Sequence, residues 1–195
     1  MARKEVYATT GTRLVVRDFG GYHFTAQDLE RSAFAEQGYK RGVPMGGDLK
    51  SASAGKSPAF LVHAMRDVDG ANIDRIQIVK GWLDASGNTQ EKIYDVAWSG
   101  DRKPGANGML PPVGNTVNVK EASYTNAIGA PFLAAYWRDP GFDPKLRAFY
   151  YVRVLEIPTP RWTTYDAKIF GVKLPTDVPA SIQDRAYTSP IWYTP

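Results

Sequence analysis

Cysteine is absent from this chain, and histidine occurs only twice among its 195 residues. The absence of cysteine excludes disulfide bonds, thiol catalysis and thiolate zinc sites within the sequence. His23 and His63 are far apart in the chain and have no metal-ligand spacing. We therefore expect no catalytic residues, no bound cofactor and no transition-metal centre in this chain.

Long apolar runs and clusters of one charge are also lacking. No stretch reaches the roughly 18 apolar residues of a membrane span, and the first residues do not form a signal peptide, which leaves the compartment open. The net charge is +4, but lysine and arginine are scattered among acidic residues. This distribution is typical of an ordinary soluble surface and argues against nucleic-acid binding.

Nucleophile and phosphate-binding motifs are missing as well. No G-x-S-x-G elbow occurs. The segment 46–58 ends in Gly55-Lys56-Ser57, but a phosphate loop requires glycine where Lys50 stands, and Pro58 follows where a helix should continue. The sequence therefore predicts that the isolated chain is not an enzyme.

Short strand-like runs separated by Gly, Pro, Asn and Asp dominate the chain. They predict a mainly β fold, an immunoglobulin-like β-sandwich with one short helix and long Pro/Gly-rich loops, forming a single domain over 1–195. Ile76, Ile78 and Trp82 should share one face of their strand. The run 147–157, the longest and the richest in aromatic and β-branched residues, should lie centrally in a sheet. The predicted strands cover residues 13–19, 59–65, 75–82, 91–98, 117–124, 132–137, 147–157 and 186–194.

One segment has a helical pattern. In the stretch 25–40, Thr25 is a plausible N-cap, Asp28 completes an approximate capping box, and Gly38 suits the C′ position. We expect a helical insertion over 25–38 that lies on the sheet surface. The segments 99–115 and 156–181 are rich in proline or glycine and are predicted to be a long connection and a crossover.

The segment Asp67–Asp74 resembles the start of a calcium loop. Aligned as an EF-hand, it breaks the pattern at three ligand or glycine positions. A looser calcium cradle formed by Asp67, Asp69, Asn72 and Asp74 is one interpretation. The favoured one is a polar turn between strands, because Asp69-Gly70 is a common hairpin-turn dipeptide.

Histidine and aromatic residues leave further alternatives. His63 lies within an apolar strand, which favours a hydrogen-bonded core or edge position. His23 follows a glycine turn, which favours a surface or interface position. The five Trp and eleven Tyr residues are expected mostly in the core, with a carbohydrate-stacking surface as the alternative.

Several long strings resemble one known family. They are "RKEVYATTGTRLVVRDFGG", "GVPMGGDL", "DGANIDRIQIVKGW", "IYDVAWSG", "PPVGNTV", "RAFYYVRVLEIPTPRW" and "RAYTSPIWYTP", and together they span essentially the whole chain. They are similar to the C-terminal portion of the bacterial family called domain of unknown function 3604. Family members are longer, and their N-terminal part looks like a PHP-type metallohydrolase barrel with His and Asp metal ligands.

The resemblance implies that the metal-binding residues and this chain belong to different domains of the family's proteins. The "YATTG" stretch, here 7–11, follows the last metal-binding segment in such proteins, so residues 1–12 would be a remnant of the junction and the barrel would lie upstream of Met1. The chain is then expected to be a non-catalytic accessory domain of a metal-dependent hydrolase. The alternative is a stand-alone binding module for carbohydrate or protein.

Two expectations about contacts follow. Arg161, Trp162 and Tyr165 offer an anion-binding fork beside aromatic surface and are the candidates for a loop lent to a neighbouring cleft. The favoured interpretation of that loop is a crossover whose Trp162 fills the sandwich core. Surface that packs on a missing barrel should favour dimerisation, which we expect to occur through the N-terminal segment.

Overall fold

The structure is a computed structural model that describes residues 2–30, 33–51, 55–106 and 108–195. Within these ranges the strands are β1 Tyr7–Thr9, β2 Val15–Gly21, β3 Val43–Pro44, β4 Asp48–Leu49, β5 Ala59–Met65, β6 Ile73–Leu83, β7 Thr89–Trp98, β8 Phe132–Arg138, β9 Ala148–Glu156, β10 Thr159–Pro160, β11 Ser181–Ile182, β12 Arg185–Thr188 and β13 Ile191–Tyr193. The helices are α1 Phe34–Arg41 and α2 Trp162–Phe170, with a 3₁₀ helix over Ala26–Leu29.

Two largely antiparallel sheets pack face to face and form the predicted mainly β sandwich. In the larger sheet, β6 lies between β7 and β9, and the other edge of β9 pairs with β12 and β13 in turn. β1 extends β12, and β4 extends β13 in parallel. The smaller sheet has the order β3-β2-β5-β8, and β10 and β11 form a separate pair.

The inward-facing side chains, which alternate along each strand, fill the space between the two sheets. Ile76 and Ile78 of β6 are completely buried in the core, and Trp82 packs against the same core, as the sequence predicts. Val62 of β5 and Val154 of β9 approach from the two sheets. Each such side chain contributes about 1.5–3 kcal/mol when it is fully buried.

The central position predicted for β9 is confirmed, because neighbours pair with both of its edges. Its predicted length is wrong: β9 has nine residues, whereas β6 has eleven. The strand predicted over 117–124 is also wrong. That segment is a turn closed by one bridge between Asn118 and Ser123, because its β-branched residues have no neighbouring strand to pair with.

A third layer covers the outer face of the smaller sheet. Phe34 of α1 packs edge-on against Phe19 with ring centroids 5.6 Å apart, and stacks on His63 at 3.6 Å. Gly38 allows this approach, since a Cβ there would lie 2.4 Å from the Phe19 ring. The helix therefore lies on the sheet as predicted.

The predicted limits of that helix require correction. Thr25 donates its backbone N–H to Asp28 Oδ2 at 2.8 Å, so the expected capping interaction is present, but it opens a short 3₁₀ helix. The α-helix begins at Phe34 and continues through Gly38 to Arg41, with Gly42 as the C-cap. Gly38 is thus a packing residue inside the helix and not its C′ residue. Residues 31 and 32 lie outside the described residues.

The crossover segment 156–181 also differs from its prediction. It contains α2, so a second helix is present in the described residues in addition to the one expected. Arg161 precedes the helix in an extended conformation, and Gly171 ends it with φ +65°, a conformation that glycine adopts without strain. The sequence did not predict this helix, because the prolines on both sides of it indicated a loop.

Candidate functional site

The aspartates of the suspected calcium loop are engaged by arginine. Arg13 Nε lies 2.9 Å from Asp67 Oδ2, and Arg13 Nη2 lies 3.1 Å from Asp69 Oδ2. The Arg13 hydrogen bond holds the pKa of Asp67 below its usual range. Gly70 donates its N–H to the Asp67 carbonyl and closes a turn. The favoured interpretation, a polar turn between strands, is therefore confirmed, but the turn leads from β5 in one sheet to β6 in the other and does not close a hairpin.

Asn72 and Asp74 lie apart from that pair. The Asn72 side-chain amide donates to the carbonyl of Ile128 at 2.9 Å. Asp74 is completely buried and receives Arg102 Nη2 at 2.6 Å and Arg75 Nε at 3.0 Å. The contact between Arg102 and Asp74 therefore attaches the long 99–115 connection to β6 of the larger sheet. Among the described residues, no three His, Cys, Asp or Glu side chains are grouped so that they could hold a metal ion.

The two histidines have different environments: His63 lies in β5, and His23 lies between β2 and the 3₁₀ helix. His63 Nε2 lies 3.2 Å from the Leu29 carbonyl, and burial lowers the pKa of His63. The ring stacks on Phe34 and meets Phe132 edge-on, which is a packing role. His23 is exposed, with Nδ1 3.3 Å from Lys56 Nζ.

The third candidate group lies on α2, which presents apolar side chains to solvent. Trp162 is 66% exposed, Ile169 71% and Phe170 70%. At 100° per residue these positions fall on one side of the helix, and Tyr165 borders them at 38% exposed. Trp162 therefore does not fill the sandwich core, and that interpretation of the crossover is wrong. We call the surface formed by Trp162, Tyr165, Ile169 and Phe170 the α2 outer face.

Polar side chains on the opposite side of α2 contact neighbouring connecting segments. Thr164 is buried and donates its hydroxyl to the Ala180 carbonyl at 2.7 Å. Lys168 Nζ reaches the carbonyl of Glu121 at 2.8 Å and its carboxylate at 3.1 Å. Arg161, at the start of the helix, has a buried Nε without a hydrogen-bond partner in the described structure. The usual amphipathic arrangement is thus inverted.

A groove of about 590 Å³ lies at the other end of the sandwich. Trp192, which is 44% exposed, and Phe149 line it, with ring centroids 5.3 Å apart. Phe149 lies over Gly81, where a Cβ would come within 2.3 Å of the ring. Arg147 and Glu91 are exposed at its rim. Sequence reasoning missed this site because its residues come from four strands.

Two buried acids have raised pKa values. Burial raises the pKa of Asp18 to about 8, although the nearby Thr188 hydroxyl opposes the shift. Burial also raises the pKa of Glu156 to about 7, opposed by the hydrogen bond from Thr12 Oγ1 at 2.7 Å. With these pKa values, a fraction of each carboxyl group is protonated in the folded protein near neutral pH. The free energy of unfolding therefore depends on pH in this range.

No helix among the described residues is long and apolar enough to cross a membrane. Comparison with known protein families shows that a family model described as "Protein of unknown function (DUF3604)" matches residues 1–195. No curated protein and no solved structure matches.

Proposed function

We propose that this chain, which belongs to the DUF3604 family of proteins of unknown function, is a non-catalytic β-sandwich accessory domain that binds a metal-dependent hydrolase domain. The contact surface is the α2 outer face. The hydrolase domain is the PHP-like barrel that the sequence resemblance implies, supplied in the same polypeptide or by a neighbouring chain. The observation that carries the proposal is the exposure of Trp162, Ile169 and Phe170 on one side of α2.

Physical reasoning supports a partner for this face. A helix of nine residues is marginal on its own and normally gains its stability by burying apolar side chains. Here Thr164 and Lys168 contact the connecting segments at Ala180 and Glu121, while the apolar side chains remain in water. Contiguous exposed apolar surface is typical of interaction sites. Each of the large side chains would contribute about 1.5–3 kcal/mol when a partner buries it.

Arg161 and Tyr165 supply the polar edge of the same surface. Arg161 is half-buried beside the helix, and its buried Nε makes no hydrogen bond in the described structure. Tyr165 is 38% exposed beside the apolar side chains. A guanidinium and a phenol at the edge of an interface suit a carboxylate or another anionic group of the partner.

The test is co-expression of this chain with the N-terminal hydrolase domain of a full-length family member. The affinity of the purified pair is measured by calorimetry. The test variant combines Ile169→Lys with Phe170→Glu, and the matched control combines Leu83→Glu with Ile93→Lys, two residues that are also exposed, 41% and 44%, but lie on β6 and β7. We expect the test variant to weaken binding at least about a hundredfold, because interface anchors commonly contribute more than 2 kcal/mol.

Two results would overturn the proposal. One is a complex whose affinity is the same for the wild type and the α2 variant. The other is the absence of any complex together with a homodimer that the α2 variant dissociates, because self-association through this face would favour a stand-alone module. The coding sequence next to this one gives a first check: a segment with "DLHxH"-like histidines would favour the proposed partner.

A further inference from the structure

We propose that the groove between Trp192, Phe149 and the β6–β7 hairpin binds a neutral oligosaccharide. The inference is independent of the α2 surface, because β9 begins at the groove and runs to the end of the sandwich from which α2 follows. At about 3.3 Å per residue, the nine residues of β9 separate the two sites by roughly 26 Å. A ligand in the groove therefore leaves the α2 outer face free.

The floor of the groove suits the apolar side of a sugar ring. Trp192 and Phe149 are adjacent on the outer face of the larger sheet, as partners in the β13–β9 pairing. Their rings are 5.3 Å apart, and Trp192 remains 44% exposed. A pyranose presents C–H groups on one side of its ring, and exposed aromatic rings offer that side an apolar contact. The volume of about 590 Å³ lies within the usual range for small-ligand sites.

The rim of the groove selects the class of ligand. Arg147 supplies donors and Glu91 supplies acceptors, and both are exposed at the groove. Gln90 Nε2 donates to Asp84 Oδ2 at 3.0 Å. An anionic or a cationic ligand would meet a like charge at one side of such a rim. Hydroxyl groups donate and accept at once, so a neutral sugar can engage both rim charges.

A proline-rich peptide is the main competitor, since such peptides also occupy aromatic grooves. Prolines have no backbone N–H and present mainly carbonyl acceptors. They could bind Arg147 but would leave Glu91 without a donor. The mixed rim therefore favours the sugar.

The aromatic floor is held in place before any ligand arrives. Gly81 of β6 is paired with Phe149 of β9, and the absence of a side chain lets the far edge of the Phe149 ring approach the strand closely. On the other side, Phe149 is flanked by Tyr151 at 6.5 Å. A site that is formed in advance loses less free energy on ordering when it binds its ligand.

The experiment titrates the full chain with cellohexaose, xylohexaose, maltohexaose and chitohexaose by calorimetry, and with a proline-rich decapeptide. We expect at least one sugar to bind with a dissociation constant below about 1 mM. Trp192→Ala should weaken that binding about tenfold or more, because it removes the stacking surface. Trp162→Ala, on α2, is the matched control and should bind the sugar like the wild type.

Folding of the variants is monitored by circular dichroism, and Glu91→Gln tests the rim without removing the aromatic floor. This variant should weaken the binding of the same sugar several-fold. The proposal fails if none of the four sugars binds at about 5 mM. It also fails if Trp192→Ala binds the sugar as tightly as the wild type, or if only the proline-rich peptide binds.

Discussion

Lys80 Nζ lies 2.6 Å from Asp139 Oδ2 inside the sandwich, and the two side chains are 5% and 0% exposed. The Tyr150 hydroxyl donates to the same carboxylate oxygen at 2.7 Å, and the Gly141 N–H donates to the other at 2.9 Å. Lys80 also donates to the Gly141 carbonyl at 2.8 Å. The pair therefore ties β6 to β9 and to the segment after β8.

Removing one member of this pair should destabilise the fold strongly. Lys80→Met leaves the Asp139 carboxylate buried without a cation, and we expect the free energy of unfolding to fall by about 3–5 kcal/mol. Urea denaturation followed by fluorescence measures the change. Asp69→Asn is the control, because it breaks an ion pair that lies at the surface and should leave the urea midpoint almost unchanged. Equal effects of the two substitutions would contradict the importance of the buried pair.

Asp18 should make the fold less stable as the pH rises. Burial raises its pKa to about 8, whereas its ordinary value is 3.8. Between these values the folded state keeps a proton that the unfolded state has lost, so stability decreases by up to about 1.4 kcal/mol per pH unit. Asp18→Asn removes this dependence, and its advantage over the wild type should grow from about pH 4 to about pH 8 and then stay constant.

Glu156 acts in the same direction over a narrower range. Its pKa is raised from 4.5 to about 7, so Glu156→Gln should reduce the slope of the decline between about pH 4.5 and 7 by about half, because Asp18 still contributes there, and should leave the slope between about pH 7 and 8 unchanged. Urea titrations of the wild type and both variants across this range provide the measurement. Curves for Asp18→Asn that run parallel to the wild type would show that Asp18 ionises normally in the folded protein.

Gly81 should be intolerant of even a methyl group. A Cβ at this position would lie 2.3 Å from the Phe149 ring, so Gly81→Ala must displace the ring from the strand. We expect a loss of about 1–3 kcal/mol, as for other overpacked sites. Gly141→Ala is the control for the added methyl, since its Cβ would meet only Asp139 Oδ1, at 3.9 Å. Thermal unfolding compares the two, and an unchanged midpoint for Gly81→Ala would contradict the packing described.

Calcium should leave the stability of the chain unchanged. The carboxylates of Asp67 and Asp69 already contact Arg13, and that of Asp74 contacts Arg102. A calcium ion would have to displace these guanidinium groups. Thermal unfolding with about 5 mM calcium or with a chelator should therefore give the same midpoint, whereas a stabilisation of several degrees by calcium would show a site, since bound ligands raise apparent stability.

The sequence predicted the parts of the fold in which local pattern and tertiary environment agree. Alternation in β6 correctly placed Ile76 and Ile78 in the core, and the uniformly apolar run 59–65 correctly gave a strand, β5, paired on both edges. The same reasoning missed α2, because prolines on both sides of this nine-residue helix indicated a crossover loop.

The buried ion pair and the groove were hidden for a different reason. Lys80 and Asp139 meet only after β6 and the segment following β8 pack together, and Asp139-Pro140-Gly141 has the composition of an ordinary turn. Trp192, Phe149 and Gly81 are likewise neighbours only through strand pairing. The spacing of residues along a single sequence carries no signal for contacts of this kind.

The proposed function requires that a hydrolase domain covers the α2 outer face. Hydroxyl-radical footprinting of the chain, alone and with the hydrolase domain of a family member, measures the exposure of Trp162 and Phe170 directly. Trp192, exposed in the groove at the far end of β9, is the internal control. We predict that Trp162 and Phe170 are oxidised in the isolated chain and protected in the complex, while Trp192 is oxidised equally in both. Equal oxidation of Trp162 and Phe170 with and without the hydrolase domain would contradict the account.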